Sequence, residues 1–173
     1  MTIDPDRQQL PMKVFFDTEF TGLGSDPRLL SIGMVAEDGS ELYFEFSDGW
    51  TEDKCSSWVR VNVLPMLGKA DQLSRSVGAE RIVTWLSGLG ALPILMGDSD
   101  WDTELLRQLL DEYKADPTGY CLELLKFKDR EQAGLFESAR KRYFASESVK
   151  PHHALTDAKA FRVAYEVAFN RVA

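Results

Sequence analysis

Two carboxylates one residue apart, Asp17 and Glu19, directly follow the apolar run Val14-Phe15-Phe16. In a β-strand, residues i and i+2 stand on the same face, so the pair would sit side by side at the end of a buried strand. Like charges held that close repel. Beside a core they are tolerated when a cation lies between them, and hard divalent ions such as Mg²⁺ and Mn²⁺ favour oxygen ligands of this kind. A strand that simply ends in solvent is the plainer reading. Two further stretches offer matching chemistry. Gly97-Asp98-Ser99-Asp100-Trp101-Asp102 passes from a strand end into a helix. There Asp102 either joins the first pair from a neighbouring strand edge or serves as an acidic residue in the first helical turn, where the macrodipole favours it; Ser99 or Asp100 can cap. Pro151-His152-His153-Ala154-Leu155-Thr156-Asp157 holds both histidines of the chain. His153 and Asp157, four apart, share a helix face. His152 can approach Asp157 only from the loop ahead of the helix, where an imidazole beside carboxylates suits a general base. The plainer reading gives these histidines a capping or tail role.

The elements that must position these residues follow from periodicity and turn chemistry. After the first strand, Thr21-Gly22-Leu23-Gly24 and Ser25-Asp26-Pro27 reverse the chain. Leu29–Ala36 reads as a second strand, Glu37-Asp38-Gly39-Ser40 as a hairpin turn and Glu41–Phe46 as a third strand, giving three sequential antiparallel strands. The stretch 59–67 has no clean period, and a short helix is its favoured reading. From Ser76 the pattern is helical through Ile82, Trp85, Leu86 and Leu89, with Gly88 and Gly90 as a stop. Residues 92–96 form a continuous apolar run, the mark of a strand buried on both faces, so the helix before it implies a crossover and a partly parallel sheet. Trp101, Leu105, Leu106, Leu109, Leu110 and Tyr113 share the face of a second long helix. Residues 121–125 suit a last short strand, and Ala154, Ala158, Phe161, Tyr165, Ala168 and Phe169 recur along a terminal helix.

With 173 residues, 44% of them hydrophobic, the chain can bury one good core, so a single α/β domain over 12–173 is expected after a loose tail, 1–11, that shows no periodicity. A net charge of −8 argues against broad electrostatic capture of nucleic acid. It does not exclude nucleic acid, because bound divalent cations invert the local field. The clearest positive surplus is Lys126, Lys128, Arg130, Arg140, Lys141, Arg142 and Lys150, either a solvated helix face or a phosphate-contacting flank. Cys55 and Cys121 lack metal-ligand spacing and suit free thiols in a reducing cytosol, so a cytoplasmic protein is expected. No apolar run is long enough to span a membrane, and the amino terminus carries no signal pattern.

Taken together, Asp17-Thr18-Glu19, then Asp102, then His152-His153-Ala154-Leu155-Thr156-Asp157-Ala158 resemble the three motifs of the DEDDh 3′ to 5′ exonucleases over nearly the whole chain. That superfamily includes ribonuclease T, oligoribonuclease and polymerase proofreading subunits. Phe16-Asp17-Thr18-Glu19-Phe20, Ser31-Ile32-Gly33-Met34-Val35 and Val61-Asn62-Val63-Leu64-Pro65 look most similar to small bacterial single-domain 3′ to 5′ exoribonucleases. The middle motif departs from the pattern: Asp98, Asp100 and Asp102 compete, and Asp102 is selected because Trp101 fills the preceding aromatic place.

The resemblance implies an α/β, ribonuclease H-like fold, a five-stranded mixed sheet flanked by helices. It implies two divalent metal ions, Mg²⁺ or Mn²⁺, held by Asp17, Glu19, Asp102 and Asp157. Asp17 would bridge both, Glu19 and Asp157 would complete one, and Asp102 would reach the other directly or through water. His152 would take the proton from the nucleophilic water. Phe20, Thr21, Gly22 and Leu23, directly after the carboxylates, would line the pocket for the terminal nucleotide, with Trp101 near them; that Phe20 and Leu23 merely close the core is the plainer reading. The implied substrate is single-stranded nucleic acid, RNA favoured over DNA, degraded by a homodimer whose basic residues serve the partner's site. A DNA-directed exonuclease of the same fold and an inactive nucleic-acid-binding protein are the alternatives.

Overall fold

The structure, a computed structural model, describes residues 10–115 and 119–169. The apolar opening forms β1 (Pro11–Phe20), and the turn formers after it return the chain as β2 (Leu29–Ala36), every residue of which is buried. The two pair antiparallel, with Asp17 opposite Gly33 and Glu19 opposite Ser31. The hairpin turn closes through the Ser40 N–H, which donates to Asp38 Oδ1 at 2.8 Å, and leads into β3 (Glu41–Phe46), antiparallel to β2. The three consecutive antiparallel strands expected from alternation are thus present. In the stretch without a clean period, Ser56 caps the short α1 (Ser57–Asn62) by accepting from the Val59 N–H, and a 3₁₀ turn, Leu64–Met66, follows.

Among the described residues the sheet has six strands, in the order β4-β3-β2-β1-β5-β6, where five were expected. The extra one is β4 (Gln72–Leu73), two residues too few to show any alternation; it is a strand only because it pairs parallel with Glu45 and Phe46. After it, α2 (Arg75–Gly88) crosses over to β5 (Leu92–Gly97), which lies parallel to β1. Then α3 (Asp100–Glu112) leads to β6 (Cys121–Leu124), parallel to β5 at the edge. Two helices, α4 (Arg130–Ser146) and α5 (Ala154–Phe169), complete the described chain. Of the expected 1–11 tail, the first nine residues lie outside the described ones; Pro11 already stands in β1, beside Leu92.

Alternation along β1 sorts its side chains between two layers. Val14 and Phe16 join Ile32, Met34, Phe44 and Leu106 in the core under α2 and α3, whereas Phe15 packs with Phe136 and Phe161 under α4 and α5. Phe15 meets Phe161 edge to face at 5.2 Å, a geometry the ring quadrupoles favour. Asp17 and Glu19 continue the Phe15 face, so both rise towards α5. Helix α5 can come that close because β2 carries Gly33 at the crossing: a Cβ there would lie 2.2 Å from the Leu155 backbone nitrogen. No helix among the described residues is long and apolar enough to cross a membrane.

Candidate active site

A cavity of about 540 Å³ opens at the end of β1, and Asp17, Glu19, Asp102, His152 and Asp157 all line it. They arrive from β1, from α3, and from α5 with the loop before it. Asp17 and Glu19 come from the strand itself. Asp102 lies in the first turn of α3, where Ser99 caps the helix by accepting the Asp102 N–H at 3.2 Å. Its carboxylate accepts the Thr18 N–H at 2.9 Å and the hydroxyls of Thr18 and Ser99. The first-turn residue and the partner of the acidic pair are therefore the same residue, tied to β1 across 84 positions of sequence.

Asp157 stands one turn into α5 and folds back over its own helix start. Its Oδ2 accepts the N–H groups of His152 at 2.6 Å and His153 at 3.1 Å, satisfying two donors that a helix terminus leaves open. Its Oδ1 is buried and has no hydrogen-bond partner among the described residues. An acceptor left so costs about 1–3 kcal/mol, a penalty that a cation beside it removes. His152 lies on the loop before α5, as the spacing required, with φ +73°. That left-handed conformation is strained for a residue with a Cβ. It is held by the bond to Asp157 and by an edge-to-face contact of the imidazole with Trp58, centroids 4.6 Å apart. His153 takes the opposite course: its ring stacks on Tyr43 at 4.5 Å, and burial pushes its pKa down.

The carboxylates fall into two groups whose ligand atoms lie within 4.8 Å of one another: Glu19 with Asp157 and His152, and Asp17 with Asp98 and Asp102. Without a cation they repel. Burial first, then the charges of Asp102, Asp157 and Glu19, raise the Asp17 pKa well above its usual value. Burial and the charges of Asp157 and Asp102 push Glu19 up to about 8. Burial likewise raises Asp98, Asp102 and Asp157, opposed in Asp98 and Asp157 by Arg140 and in Asp102 by its bonds to Ser99 and Thr18. Oxygen-rich ligands, close grouping and the orphaned Asp157 oxygen all fit hard divalent ions.

Of the residues expected to hold the terminal nucleotide, Phe20, Gly22 and Leu23 line the cavity. Gly22 has φ +135°, and a Cβ there would touch Ser56 Cβ at 3.0 Å, so only glycine fits without adjustment. Thr21 instead braces the loop, its buried hydroxyl accepting the Arg28 N–H at 3.0 Å. Trp101 does not line the cavity; its ring stacks with Phe20, centroids 6.1 Å apart. Sequence reasoning overlooks Ser56, Trp58 and Val59, which also line the cavity; Arg140, expected only within the basic flank, lines it too, and Asp98, passed over in favour of Asp102, joins the second carboxylate group. Asp98 had a signal: it directly follows the last residue of β5, a strand parallel to β1. Asp100, the third competitor, is exposed.

This sheet order, with helices on both faces and carboxylates gathered at the end of β1, defines a ribonuclease H-like α/β fold. Among solved structures it resembles product-bound exonuclease I, with a TM-score of 0.62 at 14% identity over 94% of this chain and 44% of that one. Exonuclease I in complex with SSB and an inhibitor gives 0.59 at 13% identity, covering 94% and 42%. No family model matches the chain. Over 66 residues the chain is 48% identical to proteins named 3′-5′ exoribonuclease from two strains of Mycobacterium tuberculosis. The match takes in 38% of this chain and spans 39% of those relatives' length.

Proposed function

We propose that the protein is a metal-dependent 3′ to 5′ exonuclease of the DEDDh type, acting on single-stranded RNA in preference to DNA. The observation that carries this is the convergence of two carboxylate groups and a loop-borne histidine in one cavity, with a buried Asp157 oxygen left for a cation. The named exoribonuclease relatives support the substrate class. Glu19 and Asp157 would hold one divalent ion and Asp102 would serve the other, with Asp17 between. Both Asp102 oxygens already accept protein hydrogen bonds, which suits a contact through water. Bound there, such ions polarise the phosphodiester and lower the pKa of water. His152, free of the helix, would act as the base that takes a proton from the attacking water, while Trp58 and the Asp157 bond limit where its ring can go. Phe20 and Leu23 offer apolar surface to an unpaired base, which a paired base could reach only after unstacking.

The exposed cations Lys126, Lys128, Arg130, Lys141, Arg142 and Lys150 do not line the chain's own cavity. We propose that they flank the partner's substrate in a homodimer, each site gaining the phosphate-binding flank that its own chain does not place there. The free cysteines, Cys55 and Cys121, agree with a reducing cytoplasm. The test is incubation of the protein with 3′-tailed, blunt-duplex and circular single-stranded RNA and DNA, with Mg²⁺ or Mn²⁺ and with a chelator. Shortening of RNA from the 3′ end, stalling at duplex and silenced by chelation, is expected. Cleavage of the circle or equal loss of a blunt duplex would overturn the exonucleolytic reading. Faster loss of DNA would transfer the substrate, and binding without turnover would leave an inactive binding protein.

A further inference from the structure

Among the described residues, Arg140 is the only lysine or arginine lining the cavity, and the four-carboxylate scheme gives it no role. It comes from α4, whose neighbouring cations Lys141 and Arg142 are exposed, while its own side chain is turned inward and 27% exposed. Nη1 donates to Asp98 Oδ2 at 3.0 Å. Nη2 stands 3.9 Å from Asp157 Oδ1, too far to donate to an oxygen that has no other partner. The guanidinium thus reaches from one carboxylate group to the other. It is fastened to the side that contains Asp98 and only near the side that contains Asp157.

Charge decides what this arrangement does once the site is loaded. Asp17, Glu19, Asp98, Asp102 and Asp157 bring five negative charges; two divalent cations answer four, and Arg140 the fifth. Cations held beside Asp157 would repel the near arm of the guanidinium, whereas the bond to Asp98 would keep the far arm in place. A guanidinium has five N–H donors in a planar fork suited to phosphate oxygens. With one of them on Asp98, the remainder border the cavity where the next negative charge to arrive is the substrate's.

Building on the exonuclease reading, we propose that Arg140 contacts a substrate phosphate within its own chain's site, and that Asp98 is the positioning residue that aims it. The test compares Arg140→Gln, Arg140→Lys and Asp98→Asn with the unaltered protein. KM and kcat are measured on a single-stranded oligoribonucleotide over a range of salt, its equilibrium binding is followed by fluorescence anisotropy, and Mn²⁺ is titrated calorimetrically without RNA. Arg140→Gln should raise KM about ten- to a hundredfold, as loss of a charged hydrogen bond does. It should also flatten the salt dependence by about 0.7 in logarithmic slope. Mn²⁺ should bind no more weakly than to the unaltered protein. Arg140→Lys should recover the salt slope but only part of the KM, because an ammonium lacks the fork. Asp98→Asn should raise KM in the same direction and keep the Mn²⁺ stoichiometry.

An unchanged KM and salt slope in Arg140→Gln would overturn the proposal. So would loss of Mn²⁺ binding in either single variant, which would make the pair part of the frame that holds the ions. If Arg140→Gln does not fold, the double variant Asp98→Asn/Arg140→Gln, which removes both charges, carries the same test. Unaltered protein that binds the RNA without cutting it would remove the exonuclease reading alone, and the Arg140 contact would then be judged from affinity. Absence of both binding and cutting would remove both.

Discussion

Glu19→Gln tests the claim that the carboxylate cluster is built around cations. The Glu19 side chain is buried, and burial followed by the charges of Asp157 and Asp102 takes its pKa from 4.5 to about 8. A carboxyl whose pKa rises on folding holds its proton more tightly in the folded chain than in the unfolded one. Its contribution to ion-free stability is therefore fully present below pH 4.5 and is lost as pH climbs through about 8. At about 1.36 kcal/mol per pH unit the full rise corresponds to roughly 5 kcal/mol. Because Asp17, Asp102 and Asp157 redistribute their own protons when Glu19 is replaced, only part of that can be measured as a difference between the two proteins. For a chain of this size each kcal/mol of it is about 2–4 °C in Tm. Thermal melts of both proteins in a chelator should coincide near pH 4 and diverge towards pH 8.5, with Glu19→Gln the more stable. Adding Mn²⁺ at pH 8 should raise the Tm of the unaltered protein and move the variant much less. A gap that does not change with pH, or an ion-free protein that gains stability between pH 4.5 and 8, would refute the reasoning.

Asp17→Asn should abolish RNA hydrolysis while raising the Tm of the ion-free protein, since it removes a member of the repelling cluster; end-labelled RNA assays and melts in chelator check the two halves. His152→Ala should lower kcat by about 10² to 10⁴, the usual worth of a general base. His153→Ala should leave kcat close to normal but lower Tm, because its ring is stacked on Tyr43. Gly33→Ala should lower Tm by an amount equivalent to about 1–3 kcal/mol or more, because the new Cβ would meet the Leu155 backbone at 2.2 Å and α5 must move.

What could be read from the chain alone was whatever depends on neighbours in sequence. Alternation placed Asp17 and Glu19 on one face, and the turn residues marked out β1, β2 and β3 because a hairpin's chemistry is local. The distance from His152 to Asp157 put the first histidine on a loop, since five residues of helix would have carried it to another face. β4 was not legible, because two residues become a strand only when β3 lies beside them. Nor could sequence rank Asp98, Asp100 and Asp102 on physical grounds. What separates them is the Thr18 N–H that meets Asp102 and the arginine that meets Asp98, each supplied by another element.

Arg140 shows why the direction of a side chain escapes. In sequence it is one of seven cations between residues 126 and 150, and a periodicity argument cannot distinguish it from Lys141 or Arg142. Its direction is set by helix packing. Phe136, one turn earlier on α4, is buried against Phe161 of α5 at 5.7 Å, and Phe161 lies one turn beyond Asp157. The aromatic contact that joins the two helices therefore also sets Arg140 beside Asp157 and Asp98. A substitution such as Phe136→Ala, far from any carboxylate, should accordingly disturb the site through α4 as well as weaken the core. Its cavity cost is about 3–5 kcal/mol. Any protein that remains folded should show the raised KM and flattened salt slope of Arg140→Gln with Mn²⁺ binding retained. A folded Phe136→Ala protein with the normal KM would mean that α4 positions Arg140 by some other contact.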